Sequence, residues 1–546
     1  MIGADGTIDW WCPDRFDAPP LLAAMLDPGR GTVRVSPVPA PPDGGEQHYE
    51  PGTNIVRTTF ATAEGTLELT DFLPWAGSGH TPPGRIVRLV TVQAGRLEIA
   101  VAVEPARDGW SEGVAGPGFT VHTGFPMVPT PSDRPAWRGS TVLEAGERLV
   151  VTLDPSGGSR PRSEPLTVGA ALRLLDETES AWRGQIGEAI VEGPYEAPAA
   201  RSLLIVRALT SAAGGGLVAA PTAALPEQPG GERNFDGRLC FTADAAVAAD
   251  ILARAGLAGA AAGHQEWLAA LLRTGDLPVD AAHTPDGGPP ADEEELPWAG
   301  FRGSQPVRLG WAPPGGPDFT GMAALLRHGD PDLAWSGSVA LAGWLAAHWT
   351  DAPLVADRLA VAGALDRMAT AARRKNPLDL DAAGWLQEAR AIWVWVDDAG
   401  MAAGGGLRRD TSIADYPYAS LLRVAWLGPW PPDHPVIQRT VERVLARLGQ
   451  AQGLLERYPP EVDDGLPPGR PPGMAASFWL VRSLATAGRW EEAHARMESL
   501  CGLLGPLGLA GDAADPRTGE PLGNYPSAPA HLALVDAALA LAAGPR

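Results

Sequence analysis

Residues 434–448 read HPVIQRTVERVLARL. The apolar positions Val436, Ile437, Thr440, Val441, Val444, Leu445 and Leu448 recur at the i, i+1, i+4, i+5 spacing of one helical face, which predicts an amphipathic α-helix. Residues 491–505, EEAHARMESLCGLLG, repeat the pattern with Met497, Leu500, Cys501 and Leu504. The runs at 338–349, 476–488 and 529–544 are apolar all round and are predicted to be more deeply buried. Upstream the period is different. Residues 54–75, 85–105 and 140–155 are β-branched runs with partial alternation, punctuated by the glycine turns AEG, QAG and EAG. Several such runs in succession predict an antiparallel sandwich. The reading therefore gives a β-domain over 1–185, a linking segment over 186–200 and a helical domain over 201–546. The longest loop between helices, 280–304, is too polar and too rich in Pro and Gly for a core, and its acidic run 292–295 is expected to face water.

Composition bounds the possible partners. The 546 residues are 45% hydrophobic and 20% charged, enough for a soluble protein with a substantial core. The 66 glycines and 55 prolines lie scattered between apolar runs and read as turns. A net charge of −22 repels phosphate backbones and anionic lipid, so neither nucleic acid nor a membrane is expected as partner. A neutral sugar meets no such barrier. Cys12, Cys240 and Cys501 form neither a disulfide framework nor a metal-binding spacing. With no basic-then-apolar leader and no apolar run of about 18 residues, a cytoplasmic protein is expected. Nothing in the sequence fixes an oligomeric state.

Longer motifs narrow the field. The stretches GADGTIDWWCPDRFDAPPLLAAMLD (3–27), YEPGTNIVRTTFATAEGTLELTDFLPW (49–75) and LIVRALTSAAGGGLVAAPTAALPEQPGGERNFDGRLC (204–240) resemble glycoside hydrolase family 15, which holds glucoamylases and bacterial trehalases. The stretches GFRGSQPVRLG (300–310), SFWLVRSLATAGRWEEAHARMESL (477–500) and DPRTGEPLGNYPSAPAHLAL (515–534) follow in the family's order, so the resemblance covers nearly the whole chain. It implies an N-terminal antiparallel β-supersandwich followed by an (α/α)6 barrel. It also implies inverting hydrolysis of α-glucosides by an acid and a base held about 6.5–9.5 Å apart, with no metal and no cofactor. Met1 stands directly against the first motif, where the family has a preceding strand, which leaves open an upstream start or a lost strand.

The family's site motifs are altered here. Its Trp-x-Arg-Asp reads Phe241-Thr242-Ala243-Asp244, so the aspartate that would bond sugar hydroxyls remains and the guanidinium clamp is gone. Around it Glu232, Arg233, Asp236 and Arg238 remain, whereas Phe235 and Gly237 replace the family's aromatics. The next wall carries Pro313, Pro314 and Pro317, which cannot sit inside a helix, and Trp311, a candidate stacking platform. The family's proton donor is a glutamate after a tryptophan. Here Trp349 runs almost directly into the next helix, and the nearby Asp351 and Asp357 do not match the motif, so no general acid is found. At the base, Gly511-Asp512 replaces a Ser-Glu pair. Aspartate has nearly the same reference pKa but is one methylene shorter, which withdraws the carboxylate by ~1.5 Å. A misplacement of ~1 Å can cost about a hundredfold in rate. Asp515 and Asn524 fit a structural role in the same loop, and Glu456, Glu461, Asp463 and Asp464 sit on a Pro/Gly loop expected to face water.

Two readings follow. In the first, the chain is a degenerate relative with little or no hydrolysis that binds a gluco-oligosaccharide or disaccharide, or serves interaction or regulation. It keeps Asp512 as a remnant base and Asp244, Phe241, Arg238 and Trp311 as substrate contacts, with no metal ligand. In the second, it is an active inverting α-glucosidase of glucoamylase or trehalase type that pairs Asp512 with a relocated acid.

Overall fold

The run at 85–105 becomes a 21-residue strand, Ile86–Ala106, around which the β-structure is organised in the computed structural model. The structure describes residues 1–13, 15–75, 84–106, 115–116, 118–130, 136–156, 164–187, 189–212, 214–313, 315–411, 415–427, 430–467 and 469–544, so Pro314 lies outside the described residues. Two compact units make up the chain: Met1–Gly187 with Pro297–Val307, and Glu188–Leu296 with Arg308–Arg546.

In the first unit the strands that matter are β1 (Arg30–Val38), β2 (Val56–Ala61), β3 (Gly65–Phe72), β4 (Ile86–Ala106), β5 (Phe119–His122), β6 (Ala136–Glu144) and β7 (Arg148–Pro155). All pairings are antiparallel. The first half of β4 pairs with β3 and β7, with Val87 opposite Phe72 and Thr91 opposite Arg148. Its second half changes partners to β1 and β6, with Glu98 opposite Val38 and Val103 opposite Trp137. The change falls at Gly95, whose φ of 81° lies in the left-handed region and whose missing side chain leaves room for the Glu64 carbonyl. One strand thus belongs to two sheet halves. Val33, Val35, Leu67, Leu69, Val90, Leu97, Ile99, Val101, Val103, Val151 and Leu153 meet in one core, and along β4 the alternating positions Glu98, Ala100 and Ala102 turn away from it.

Helix α1 (Val168–Ile186) departs from the expectation of β-structure through residue 185. Its buried positions Ala171, Leu175 and Thr178 follow a helical period, and the Thr167 hydroxyl accepts from the Ala170 N–H to cap it. Ala171 and Leu175 seat on Ile55, Phe72, Val87, Leu89 and Val150.

The second unit is helical. Its elements are α2 (Glu196–Ala208), α3 (Thr242–Arg254), α4 (Ala258–Arg273), α5 (Phe319–His328), α6 (Trp335–His348), α7 (Val355–Lys375), α8 (Leu380–Ala399), α9 (Val424–Leu427), α10 (Pro435–Leu448), α11 (Met474–Thr486), α12 (Trp490–Cys501) and α13 (Ala528–Ala542). Helix α3 packs on α5, α5 on α7, α7 on α9, α9 on α11, α11 on α13 and α13 on α3, which closes an inner ring. The remaining helices lie outside it, as in an (α/α)6 barrel. Sequence periodicity explains most of the assignment. The amphipathic α10 buries Val436, Ile437, Thr440, Val441, Val444 and Leu448 and is an outer helix. The all-apolar α11 and α13 are inner helices buried on nearly every side. Helix α6 is the exception. Its sequence is apolar all round, yet it is an outer helix that buries Ser338, Leu341, Ala342 and Leu345 and leaves Gly343 and Ala347 exposed. Small alanines and glycines make it apolar without making it a core element, because their burial gains little. The acidic run 292–295 faces solvent.

Arg88 on β4 and Asp71 on β3 form an ion pair in which both side chains are fully buried, with Nε–Oδ1 at 2.7 Å and Nη2–Oδ2 at 3.1 Å. Removing one member leaves an uncompensated buried charge. Asp71→Ala is expected to destabilise the first unit by about 3–5 kcal/mol, whereas Asp71→Leu with Arg88→Met is expected to stay near neutral. Chemical denaturation of the three proteins checks both.

Candidate functional site

Asp512 lies at the end of a short hairpin. Ala513–Ala514 pairs with Pro521–Leu522, and the Asp512 N–H continues the ladder to the Asn524 carbonyl at 3.2 Å. The chain then folds back on the carboxylate. The Asn524 N–H donates to Asp512 Oδ2 at 2.9 Å, and the Ser527 hydroxyl donates from the cap of α13. Gly523 lies between them at φ 75°, and a Cβ there would come within 2.8 Å of the Asp512 Cβ. On the other side the Asp512 carbonyl accepts from the Met474 N–H at the start of α11, at 3.0 Å. The Gly523 N–H reaches the Pro226 carbonyl at 2.9 Å, beside Glu227, whose carboxylate pairs with Arg457. What reads in the sequence as a loose Gly-Ala stretch is held from both sides.

Asp512 keeps some contact with solvent, but surrounding protein makes desolvation the largest influence on it. Its carboxyl is pushed up to about 6. The Ser527 and Asn524 donors and Arg457 oppose the shift, and Glu227 adds to it. Asp244, in the first turn of α3, rises to about 7 through burial and through the charges of Asp318 and Asp512, against the pull of Arg423. The charge of Asp512 is therefore felt at Asp244.

Three further groups converge there. Asp318 caps α5, accepting from the Gly321 N–H at 2.9 Å, and burial raises its carboxyl. Asp357, in the first turn of α7, accepts from the Thr320 hydroxyl at 2.7 Å and is raised by burial, with Asp318 adding to the effect. Arg423, in the turn before α9, feels Asp244 and Asp357. No sequence motif singles out Asp318 or Arg423, and Asp357 does not match the family's general-acid motif. An acid just ahead of a helix is an N-cap signal that could have drawn attention to Asp318. Nothing local marks Arg423, which brings a guanidinium near the position where the chain carries Ala243.

The remaining candidates take different places. Arg238 is buried, and Asp236 grips it through Nη2–Oδ2 at 2.7 Å and Nε–Oδ1 at 2.9 Å, so these donors are used within the loop. Asp236 also accepts from the Gly310 N–H at 3.0 Å, which fixes the neighbouring Trp311. Trp311 meets Phe241 edge to face, with centroids 5.3 Å apart and planes at 73°. Asp351 is exposed. From Trp349 the chain makes a three-residue turn and enters α7 at Val355, and the Trp349 indole donates to Glu388 on the outer helix α8 at 2.9 Å. No glutamate from this segment reaches the mouth. Asp515 points away and is held by the Arg517 and Thr518 N–H groups. Among the described residues, no group of three His, Cys, Asp or Glu side chains is placed to share a metal ion.

The acidic loop after α10 departs in part from the water-facing expectation. Glu461 and Asp463 are exposed. Asp464 accepts from both Arg233 Nη atoms at 2.7 and 2.9 Å, from the Tyr458 hydroxyl at 2.6 Å and from Arg470 at 2.7 Å. These donors hold its carboxyl far below the ordinary value, led by the Arg233 hydrogen bonds. A depressed pKa gives stability that is complete above the ordinary 3.8 and fades as pH falls below it. Asp464→Asn is therefore expected to lower the unfolding midpoint at pH 7 and to shrink the wild type's loss between about pH 4 and pH 2. Thermal unfolding at the three pH values checks this.

No family model matches the chain. Individual proteins do. A trehalase of Mycolicibacterium smegmatis is 28% identical over 606 residues, an alignment covering 98% of this chain and 88% of that one. A trehalase of Thermoplasma acidophilum is 25% identical, with 98% and 97% covered. Among solved structures, a bacterial glucoamylase complexed with acarbose superposes with a TM-score of 0.65 over 90% of this chain and 84% of that one, at 12% identity. No helix among the described residues is long and apolar enough to cross a membrane.

Proposed function

From a chain that is trehalase-like along its length and glucoamylase-like in fold, we infer a protein that binds an α-linked gluco-disaccharide or short gluco-oligosaccharide at the mouth of its barrel and hydrolyses it slowly, with inversion. The observation that carries this reading is the pair Asp512 and Asp244, two carboxyls raised to about 6 and about 7, with the charge of Asp512 felt at Asp244. Inverting hydrolysis needs an ionised carboxylate to take a proton from water and a protonated one to give a proton to the leaving oxygen. Asp512 has the lower pKa and takes the first part. Asp244 has the higher and takes the second. Environments that separate the pKa values of two like groups set such roles apart. Phe241 and Trp311 offer an apolar edge for the sugar ring, and Arg238 acts through the loop that fixes Trp311. The rate is low because a short aspartate stands at the base position and no glutamate follows Trp349. Imperfect placement of either group costs orders of magnitude.

Catalysis then requires Asp512 deprotonated and Asp244 protonated. Activity rises with pH through the Asp512 titration and falls through that of Asp244. The kcat/KM profile on trehalose or maltose is expected to be bell-shaped, with its apex between about pH 6 and about pH 7. Asp512→Asn is expected to abolish turnover, and Asp244→Asn to lower it at least about a hundredfold and remove the alkaline limb. Turnover by D512N at the wild-type rate sinks the assignment.

The missing segment after Trp349 favours a second reading, in which Asp244 only bonds sugar hydroxyls and the protein binds without turning over. Saturable calorimetric binding of maltotriose by wild-type protein, with no glucose released at high enzyme concentration, would select it.

A further inference from the structure

Below Asp244 the ring of inner helices is not filled. A cavity of about 430 Å³ runs from Ala243, Asp244 and Thr320 down the inside of α3, α5, α11 and α13 to Arg254, Arg327, His328 and Arg482. Its volume is that of a ligand pocket, far larger than a single water requires. Arg254, at the end of α3 opposite Asp244, is 37% exposed on its side chain.

Four arginines, three aspartates and a histidine supply its charged lining. Arg254 pairs with Asp250 at 2.9 Å and with Asp536, and Asp536 also takes Arg482. Those two cations and two anions balance. His328 is lowered by burial and brings no charge near neutrality. Two guanidiniums, Arg327 and Arg423, and the Asp244 carboxyl remain. Arg327 donates to the Trp426 carbonyl at 3.2 Å, and neither it nor Arg423 forms an ion pair among the described residues. Arg423 feels the charges of Asp244 and Asp357, and Arg327 those of Asp250 and Asp366. Burial lowers Arg423 most, and Arg482 and Arg327 lower it further against Asp244 and Asp357. Four arginines against three aspartates leave one surplus cation with Asp244 ionised and two with it protonated, and buried surplus charge is costly unless an anion completes it. The planar, multi-donor guanidinium is the side chain suited to phosphate oxygens. Trp426 and Trp479 add apolar faces, one under Arg482 at 4.2 Å and the other under Arg423 at 5.9 Å.

We propose that this cavity is a second ligand site, which takes a phosphate-class oxyanion between Arg327, Arg423 and Arg482, with space beside it for an attached sugar. It shares Asp244 and Arg423 with the mouth of the barrel but does not use Asp512. The site is read by phosphate binding and the hydrolytic reading by turnover, so the failure of one is distinguishable from the failure of the other.

Isothermal titration of wild-type protein with inorganic phosphate, glucose 6-phosphate and glucose tests it. Saturable binding of either phosphate, with glucose weaker by at least tenfold, supports the site. Which phosphate binds more tightly tells a free anion from a phosphorylated sugar. Arg327→Gln is expected to weaken that binding about tenfold or more, and Arg423→Lys, which keeps the charge, to weaken it less than Arg423→Gln. D512N is expected to keep it. Circular dichroism confirms that each variant is folded, and a variant that does not fold is replaced by titrating the wild type at rising salt, where affinity must fall. No binding of either phosphate at millimolar concentration overturns the proposal. So does equal binding of glucose and glucose 6-phosphate, or affinity unchanged in all three arginine variants.

Discussion

The second unit depends on one carboxylate. Asp536, two turns into α13, accepts from Arg254 on α3 and from Arg482 on α11. The last inner helix is thereby fastened both to the first and to its own predecessor, and the ring closes between segments nearly three hundred residues apart in the chain. Everything at the mouth follows from that closure. Ser527 and Asp512 precede α13, Met474 opens α11 and Asp244 opens α3. These groups meet because the helices behind them are in register around one axis. A buried pair of this type adds little net stability over an apolar replacement, and fixing one arrangement is its best-attested use.

The sequence made some of this legible. Alternation and turn glycines mark the sandwich, and the all-apolar α11 and α13 mark the inner ring. Local patterns also misled. Helix α1 carries a helical period within a region dominated by strands, and α6 is apolar because it is rich in alanine and glycine. At the site, Asp512 and Asp244 could be placed because each lies in a long motif. Asp318, Asp357 and Arg423 could not, since their meeting depends on which helix starts are brought together by ring closure. Arg238 shows the opposite case: motif position suggests a sugar contact, while the fold gives two of its donors to Asp236.

Net charge had a similar limit. A total of −22 describes a surface that repels polyanions. Around the cavity inside the barrel the arginines of α3, α5 and α11 and the turn before α9 outnumber the aspartates four to three. Global charge speaks to what approaches the molecule and says nothing of what a recess a few side chains wide prefers.

The long strand β4 carries one more implication. Because one run of backbone supplies the middle of both sheet halves, neither half can be inherited, lost or exchanged as a separate piece. Insertions at hairpin tips leave β4 intact, but a cut at Gly95 would leave each set of partners without its centre. Evolution can therefore ornament the edges of this unit freely, while its middle passes on as one indivisible block.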